Sequence, residues 1–115
     1  MITDNMLAMP FYIGLTFLLV GGVLYFFPPK KINYLYGYRT SKSMKNQETW
    51  TFAQKYSSVK MVQGSLFLIA ISFLGNFVEN LNENNKIIEL TTVFLVVIFM
   101  FYTTEKALKT KFPIQ

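Results

Sequence analysis

The stretch MLAMPFYIGLTFLLVGGVLYFF, residues 6–27, holds 22 consecutive residues without a charged side chain and decides the class of fold. A helix of roughly 20 apolar residues crosses a hydrocarbon core about 30 Å thick. Two further uncharged runs follow, MVQGSLFLIAISFLGNFV at residues 61–78 and LTTVFLVVIFMFYTT at residues 90–104. Each of these runs reaches spanning length once its flanking residues are included.

We therefore predict an all-α fold, an integral membrane three-helix bundle. We expect one membrane domain over residues 1–115, with spans at about 6–27, 58–78 and 87–105 and a structured linker at residues 28–54.

Composition supports this class, because 52% of the residues are hydrophobic and only 15% are charged. The alternative is a soluble bundle of buried helices, but such helices need a polar face and the first run has none. A signal peptide is the other alternative for the first run. The segment ahead of it, MITDN, lacks Lys and Arg, and no small-residue cleavage site follows. We expect the first helix to be retained.

The placement of Lys and Arg predicts the orientation. Seven of them lie within residues 30–60 and three within residues 106–111, whereas Lys86 alone falls between the second and third runs. Short cytoplasmic loops are enriched in Lys and Arg. We therefore expect the N-terminus and the loop at residues 79–86 outside, and the linker and C-terminus in the cytoplasm. The net charge of +5 indicates topology and contact with anionic lipid headgroups, and no nucleic-acid partner is expected.

The residue types present argue against catalysis. The chain has no Cys and no His, which removes disulfides, thiol nucleophiles, histidine bases and the commonest metal ligands. Its six acidic residues are spread along the chain and do not form a paired-carboxylate or two-metal pattern. We predict that the protein is not an enzyme and that it has no metal site and no cofactor.

The linker is predicted to interrupt the helical structure at its start and to become helical toward its end. Pro28 and Pro29 end the first helix. The segment NYLYGY, residues 33–38, alternates aromatic residues, so an extended conformation would place its three tyrosines on one side, with Gly37 in a tight turn. Ser43 and Asn46 are candidate N-caps for a helix that runs unbroken into the second span. On that helix three residues share one face: Trp50, Ala53 and Ser57.

The linker aromatics have two interpretations that composition leaves open. Tyr and Trp prefer the membrane interface, where the ring is apolar-solvated and the polar atom is wet, so they can form an interfacial belt. The alternative is a pocket at the cytoplasmic face in which Arg39 holds an anion. Tyr36, Tyr38 and Trp50 would then form the walls.

Small and polar residues in the spans predict close helix packing. We expect the helix backbones to approach one another at five glycines: Gly14, Gly21, Gly22, Gly64 and Gly75. Ser65, Ser72 and Asn76 lie near one face of the second span and are expected to bond to other helices.

The order Asn33-Tyr34-Leu35-Tyr36-Gly37-Tyr38-Arg39-Thr40, followed by Ser43, Asn46 and Trp50, resembles the signature of the SdpI family of small bacterial membrane proteins. Its pattern is roughly N-x-x-Y/F-G-Y/I-R-T, with a Trp about ten residues later that opens the next helix. The resemblance is close over residues 28–54. It implies a multi-pass protein of the bacterial cytoplasmic membrane with these signature or binding residues: Asn33, Tyr36, Gly37, Tyr38, Arg39, Thr40, Asn46 and Trp50.

The family is named for an immunity protein that protects a toxin-producing Gram-positive bacterium from its own secreted peptide and that also signals by sequestering a repressor. The resemblance implies immunity to a membrane-active toxin, or an associated signalling module. The implied partners are membrane lipids, a toxin peptide, a regulatory protein or a larger membrane complex. The named member is longer than this chain. The alternative function is a small structural or accessory subunit, or a lipid-headgroup-binding protein without an immunity role.

Overall fold

A computed structural model describes residues 8–74 and 85–113 of the chain, and these residues contain helices and no strand. The helices are α1 (Ala8–Phe26), α2 (Gln47–Leu74) and α3 (Asn85–Lys111). All three are long and apolar enough to cross a membrane. The predicted all-helical fold with three candidate spans is thus confirmed. Gly75, Asn76 and most of the loop predicted to face outward, residues 79–86, lie outside the described residues.

Helix α1 ends where the prolines predict. Its last hydrogen bond runs from the Phe27 amide to the Val23 carbonyl, at 2.7 Å, and Pro28 and Pro29 follow. A proline has no amide hydrogen to continue the ladder, and Pro29 disfavours the helical conformation at the residue before it.

Helix α2 begins at the predicted cap. Asn46 Oδ1 accepts the Thr49 amide at 2.9 Å, and the Asn46 amide donates to Thr49 Oγ1 at 3.1 Å. This reciprocal pair satisfies two backbone donors at the start of the helix. With 28 residues, α2 is about 42 Å long and exceeds the thickness of a hydrocarbon core.

Helix α2 lies at the centre of the bundle. Helices α1 and α3 both pack against it and contact each other little. The core is formed by Leu68 of α2 with Val96 and Met100 of α3, and side chains from α1 pack against this cluster. The outer faces carry large exposed apolar side chains, such as Leu19 and Phe94, and this distribution suits contact with lipid.

The glycines behave differently from one another. A Cβ atom on Gly14 would lie 3.1 Å from the Ser65 carbonyl oxygen, and one on Gly64 would lie 2.7 Å from Val96 Cγ1. Gly21 is similarly close to Met61. The prediction was wrong for Gly22, where an added Cβ atom would meet no neighbour within 4 Å. One residue is about 100° around a helix, so Gly22 points away from α2 when Gly21 faces it.

Two buried serines on α2 donate their hydroxyls within their own helix. Ser65 Oγ donates to the Val62 carbonyl at 2.6 Å, and Ser72 Oγ donates to the Ile69 carbonyl at 2.5 Å. The predicted interhelical bonds are therefore wrong for these two hydroxyls, because each finds an acceptor three residues back in its own helix. Their small volume, rather than their polarity, lets the neighbouring helix approach.

Candidate functional site

The linker folds into a compact element at one end of the bundle, which we call the linker cap, residues 28–46. It is bonded to all three helices. Tyr36 donates its hydroxyl to the Phe27 carbonyl at the end of α1, at 2.7 Å. The indole Nε1 of Trp50, on α2, donates to the Pro29 carbonyl at 2.7 Å, and Trp50 is fully buried. Tyr38 donates to Glu105 of α3 at 2.6 Å.

Asn33 shapes the first half of the linker cap. Its Oδ1 accepts the amides of Leu35 and Tyr36 at 2.9 and 2.8 Å, and its Nδ2 donates to the Lys31 carbonyl at 3.0 Å. An Asn side chain that bonds its own following backbone in this way forms a turn. The extended conformation predicted for residues 33–38 is therefore wrong. Tyr34 is 80% exposed, so the three tyrosines do not share one side.

Gly37 and Gln54 form the centre of the linker cap. The φ angle of Gly37 is 109°, a region that favours glycine, and the predicted turn at this residue is confirmed. A Cβ atom there would lie 2.5 Å from Gln54 Oε1 and 2.8 Å from Pro29 Cγ. The side chain of Gln54 is buried. Its Oε1 accepts a hydrogen bond from the Tyr38 backbone amide at 2.7 Å, and its Nε2 donates to the Tyr38 carbonyl at 2.8 Å. Helix α2 thus bonds both the backbone amide and the backbone carbonyl of Tyr38.

Glu105 anchors the linker cap to α3. Its Oε2 accepts the hydroxyls of Tyr38, at 2.6 Å, and Thr40, at 2.8 Å. Burial raises the pKa of the Tyr38 phenol well above its usual range, and the hydrogen bond and negative charge of Glu105 raise it further. Tyr38 is therefore held as a neutral hydrogen-bond donor, and the carboxylate is committed to two protein hydroxyls.

Ser43 joins this network to the start of α2. Its buried hydroxyl accepts the Thr40 amide at 2.8 Å and lies 3.1 Å from the Tyr38 carbonyl, to which it can donate. The Ser43 carbonyl in turn accepts the hydroxyl of Thr49, the partner of the N-cap residue Asn46, at 3.1 Å. The second half of the linker cap is thus continuous with the N-cap of α2.

Arg39 differs from its neighbours because its side chain is exposed. The Nη1 atom of Arg39 donates to the Tyr34 carbonyl. Within residues 8–74 and 85–113 the guanidinium has no carboxylate partner. Arg39 lies at a partly open cavity of about 300 Å³, together with Tyr36, Gly37 and Tyr38. Helices α1, α2 and α3 supply the apolar walls of this cavity, and Trp50 is not among its lining residues.

The structure therefore places the signature residues in two roles. Seven are used inside the linker cap or at its junction with the helices: Asn33, Tyr36, Gly37, Tyr38, Thr40, Asn46 and Trp50. Arg39 alone keeps most of its donors available. Sequence reasoning missed Gln54 and Glu105, which hold Tyr38. Neither had a local signal, since Glu105 is 67 positions away from Tyr38 along the chain.

In the part of the chain that the structure describes, no three His, Cys, Asp or Glu side chains come together.

Comparisons with known proteins agree with the linker signature. A model of the SdpI/YfhL protein family matches residues 30–103, which include the linker cap from Lys30 onward, all of α2 and most of α3. The uncharacterized protein YfhL of Bacillus subtilis (strain 168) is 35% identical over 98 residues, which cover 84% of this chain and 84% of that protein. No solved structure gives a significant match.

Proposed function

This chain belongs to the SdpI/YfhL protein family, and we propose that it acts in the bacterial cytoplasmic membrane as a non-catalytic immunity or resistance module against a membrane-active toxin. The three apolar helices and the family support a multi-pass membrane protein. Within this proposal, the N-terminus lies outside, and the linker cap and C-terminus lie in the cytoplasm. The excess of Lys and Arg on the cap side supports that orientation.

One observation carries the proposal: the linker cap is hydrogen-bonded to the helices and leaves one guanidinium exposed. Gln54 of α2 bonds the backbone of Tyr38, and Glu105 of α3 bonds its hydroxyl, so Arg39 follows a residue that is held on both sides. Preorganised polar groups beside an apolar cavity suit recognition of a partner. The same network offers little for chemistry, since the Glu105 carboxylate already accepts two hydroxyls and Tyr38 is held protonated.

A regulatory protein is a second kind of partner for the same surface. The linker cap presents further exposed cations, including Lys30, Lys31 and Lys45, on the side that we place in the cytoplasm. An acidic cytoplasmic protein would be attracted to this surface. The associated signalling role implied by the family fits this arrangement.

The test is a growth assay in a bacterium that lacks this protein, challenged with membrane-permeabilising peptides with and without its expression. We expect the protein to raise survival and Arg39→Gln to abolish most of the protection at equal membrane abundance. Lys45→Gln is the matched control, because it removes one exposed positive charge from the same linker. Unchanged sensitivity on expression of the wild-type chain across such peptides would refute the immunity role.

A small structural or accessory subunit is the second candidate function, and the internal use of seven signature residues favours it. In that case the signature serves to fold the linker onto the helix ends, and Arg39→Gln would leave function intact. Variants of Trp50 or Gln54 would instead reduce the abundance of the protein and of the complex that contains it. Comparing abundance with protection therefore separates the two functions.

A further inference from the structure

The cavity beside Arg39 combines an apolar interior with a cationic edge. Val20 and Leu24 of α1, Met61 of α2, and Met100 and Phe101 of α3 line its interior. Because α1 and α3 contact each other little, the cavity lies where these two helices leave a gap over α2. The linker residues 36–39 close the end of this gap.

Arg39 supplies a binding group that the protein itself does not saturate. The guanidinium has five N–H donors, and among the described residues only the Tyr34 carbonyl accepts from it. That carbonyl fixes one edge of the group. The remaining donors match the geometry of phosphate oxygens, to which arginine binds in a bidentate manner.

The position of the cavity selects the chemistry of the ligand. Arg39 lines the same cavity as Leu24, two residues before the end of α1 at Phe26. If α1 spans the membrane as proposed, this end of the helix meets the phospholipid headgroups. The apolar lining extends back from there along α1 as far as Val20, about two turns before the end of the helix. A ligand that fills this space needs a phosphate at one end and an aliphatic chain at the other.

We propose that this cavity is a specific site for one anionic phospholipid, with its phosphate on Arg39 and the upper part of one acyl chain between α1 and α3. The volume of about 300 Å³ lies at the lower end of the range for small-molecule pockets and suits part of a lipid rather than a whole one. Exposed lysines of the linker, Lys30 and Lys31 among them, favour a negatively charged headgroup over a zwitterionic one. This site requires that the chain spans a membrane, and it does not depend on the immunity role.

The headgroup and the acyl chain contact different residues, and each contact has its own variant. Arg39→Gln removes the cation and keeps a polar side chain of moderate length. Val20→Trp adds an indole to an exposed residue at the cavity wall, so it fills the space while leaving Arg39 in place. Lys45→Gln is the control for the loss of one linker charge, since Lys45 does not line the cavity.

The experiment is native mass spectrometry of the purified full chain in detergent, titrated with phosphatidylglycerol and, in parallel, with phosphatidylcholine. We expect the wild-type chain and Lys45→Gln to retain one phosphatidylglycerol in preference to phosphatidylcholine. Arg39→Gln should weaken that binding about tenfold or more, the loss expected for a charge-assisted bidentate contact. Val20→Trp should weaken it to a similar extent. The fluorescence of Trp50, the single tryptophan of the natural sequence, verifies that the linker cap of the Arg39 and Lys45 variants is folded, and a thermal unfolding scan does so for Val20→Trp.

Three results would overturn the proposal. Equal losses in Arg39→Gln and Lys45→Gln would show diffuse attraction to linker charge rather than a site. Full binding by a folded Val20→Trp variant would show that no chain enters the cavity. Displacement of phosphatidylglycerol by an equal concentration of soluble glycerol phosphate would show a simple anion site. Loss of lipid binding without loss of toxin protection would separate this site from the proposed immunity function.

Discussion

Replacing Gly37 by alanine introduces a methyl group where the structure has no room for one. The new Cβ would lie 2.5 Å from Gln54 Oε1 and 2.8 Å from Pro29 Cγ, and the backbone there has a φ of 109°. Gln54 Oε1 lies at the end of a flexible side chain, so it can move away from the new methyl group. Its movement, however, breaks the two hydrogen bonds by which Gln54 holds the Tyr38 amide and carbonyl.

The expected cost follows from these two effects. A residue other than glycine at such a φ costs about 1–3 kcal/mol. Loss of two hydrogen bonds, each worth roughly 0.5–1.5 kcal/mol, adds about 1–3 kcal/mol. We therefore expect Gly37→Ala to lower the free energy of unfolding by about 2–6 kcal/mol. Gly22→Ala is the matched control, because open space surrounds that position and alanine is the better helix former.

The assay is equilibrium unfolding by sodium dodecyl sulfate added to mixed micelles, followed by the fluorescence of Trp50, which is buried and bonded to Pro29. A double-mutant cycle with Gln54→Ala adds a second readout. The double variant should lose less stability than the sum of the two single variants, because both remove the same Gln54–Tyr38 bonds. If Gly37→Ala unfolds at the same detergent fraction as Gly22→Ala, the packing described for the linker cap is incorrect.

Three further predictions test other contacts. Glu105→Leu leaves the hydroxyls of Tyr38 and Thr40 without their acceptor and should lower the unfolding free energy by about 2–5 kcal/mol. Glu105→Gln keeps an oxygen acceptor and should lower it less. Equal losses in the two variants would contradict the role of the carboxyl oxygen. The raised pKa of Tyr38 means that the folded chain holds this proton more tightly, so the associated stability is complete below pH 10 and is lost as the pH rises above it. Ultraviolet titration should show Tyr38 ionising well above the usual range of a tyrosine, and a late step that persists in Tyr38→Phe would refute this. Gly14→Ala should lower the unfolding free energy by about 1–3 kcal/mol, because the new methyl group overpacks against Ile69 and the Ser65 carbonyl. The same detergent titration measures this loss. A loss no larger than that of Gly22→Ala would contradict the helix packing described.

Much of the fold was predictable from the sequence because the deciding signals are local. Uncharged runs of spanning length indicate the three helices, two prolines end α1, and an Asn ahead of Gln47 and Glu48 indicates the start of α2. The predicted shared face of Trp50, Ala53 and Ser57 is also confirmed, since all three are buried. Each of these signals lies within a few residues of the feature that it predicts.

The site was less predictable because its bonds join distant parts of the chain. Gln54 meets the Tyr38 backbone 16 positions away, and Glu105 meets Tyr38 and Thr40 across the whole of α2. No periodicity reports such contacts. The turn at Asn33 was also not predicted, although its bonds are local. The Asn33 side chain bonds the amides that follow it, and this preference outweighed the alternation of aromatic residues that had suggested an extended conformation.

The proposed function puts the linker cap on the cytoplasmic side of a three-span membrane protein, and cysteine labelling tests this central claim most directly. The chain has no cysteine, so single substitutions give an unambiguous signal. Leu35, which is 92% exposed, and Lys109, near the end of α3, report the cap side, and Asn82 reports the segment predicted to face outward. A membrane-impermeant maleimide added to intact cells should label Asn82→Cys, and it should label Leu35→Cys and Lys109→Cys only after the membrane is permeabilised. Labelling of Leu35→Cys in intact cells would contradict the claim.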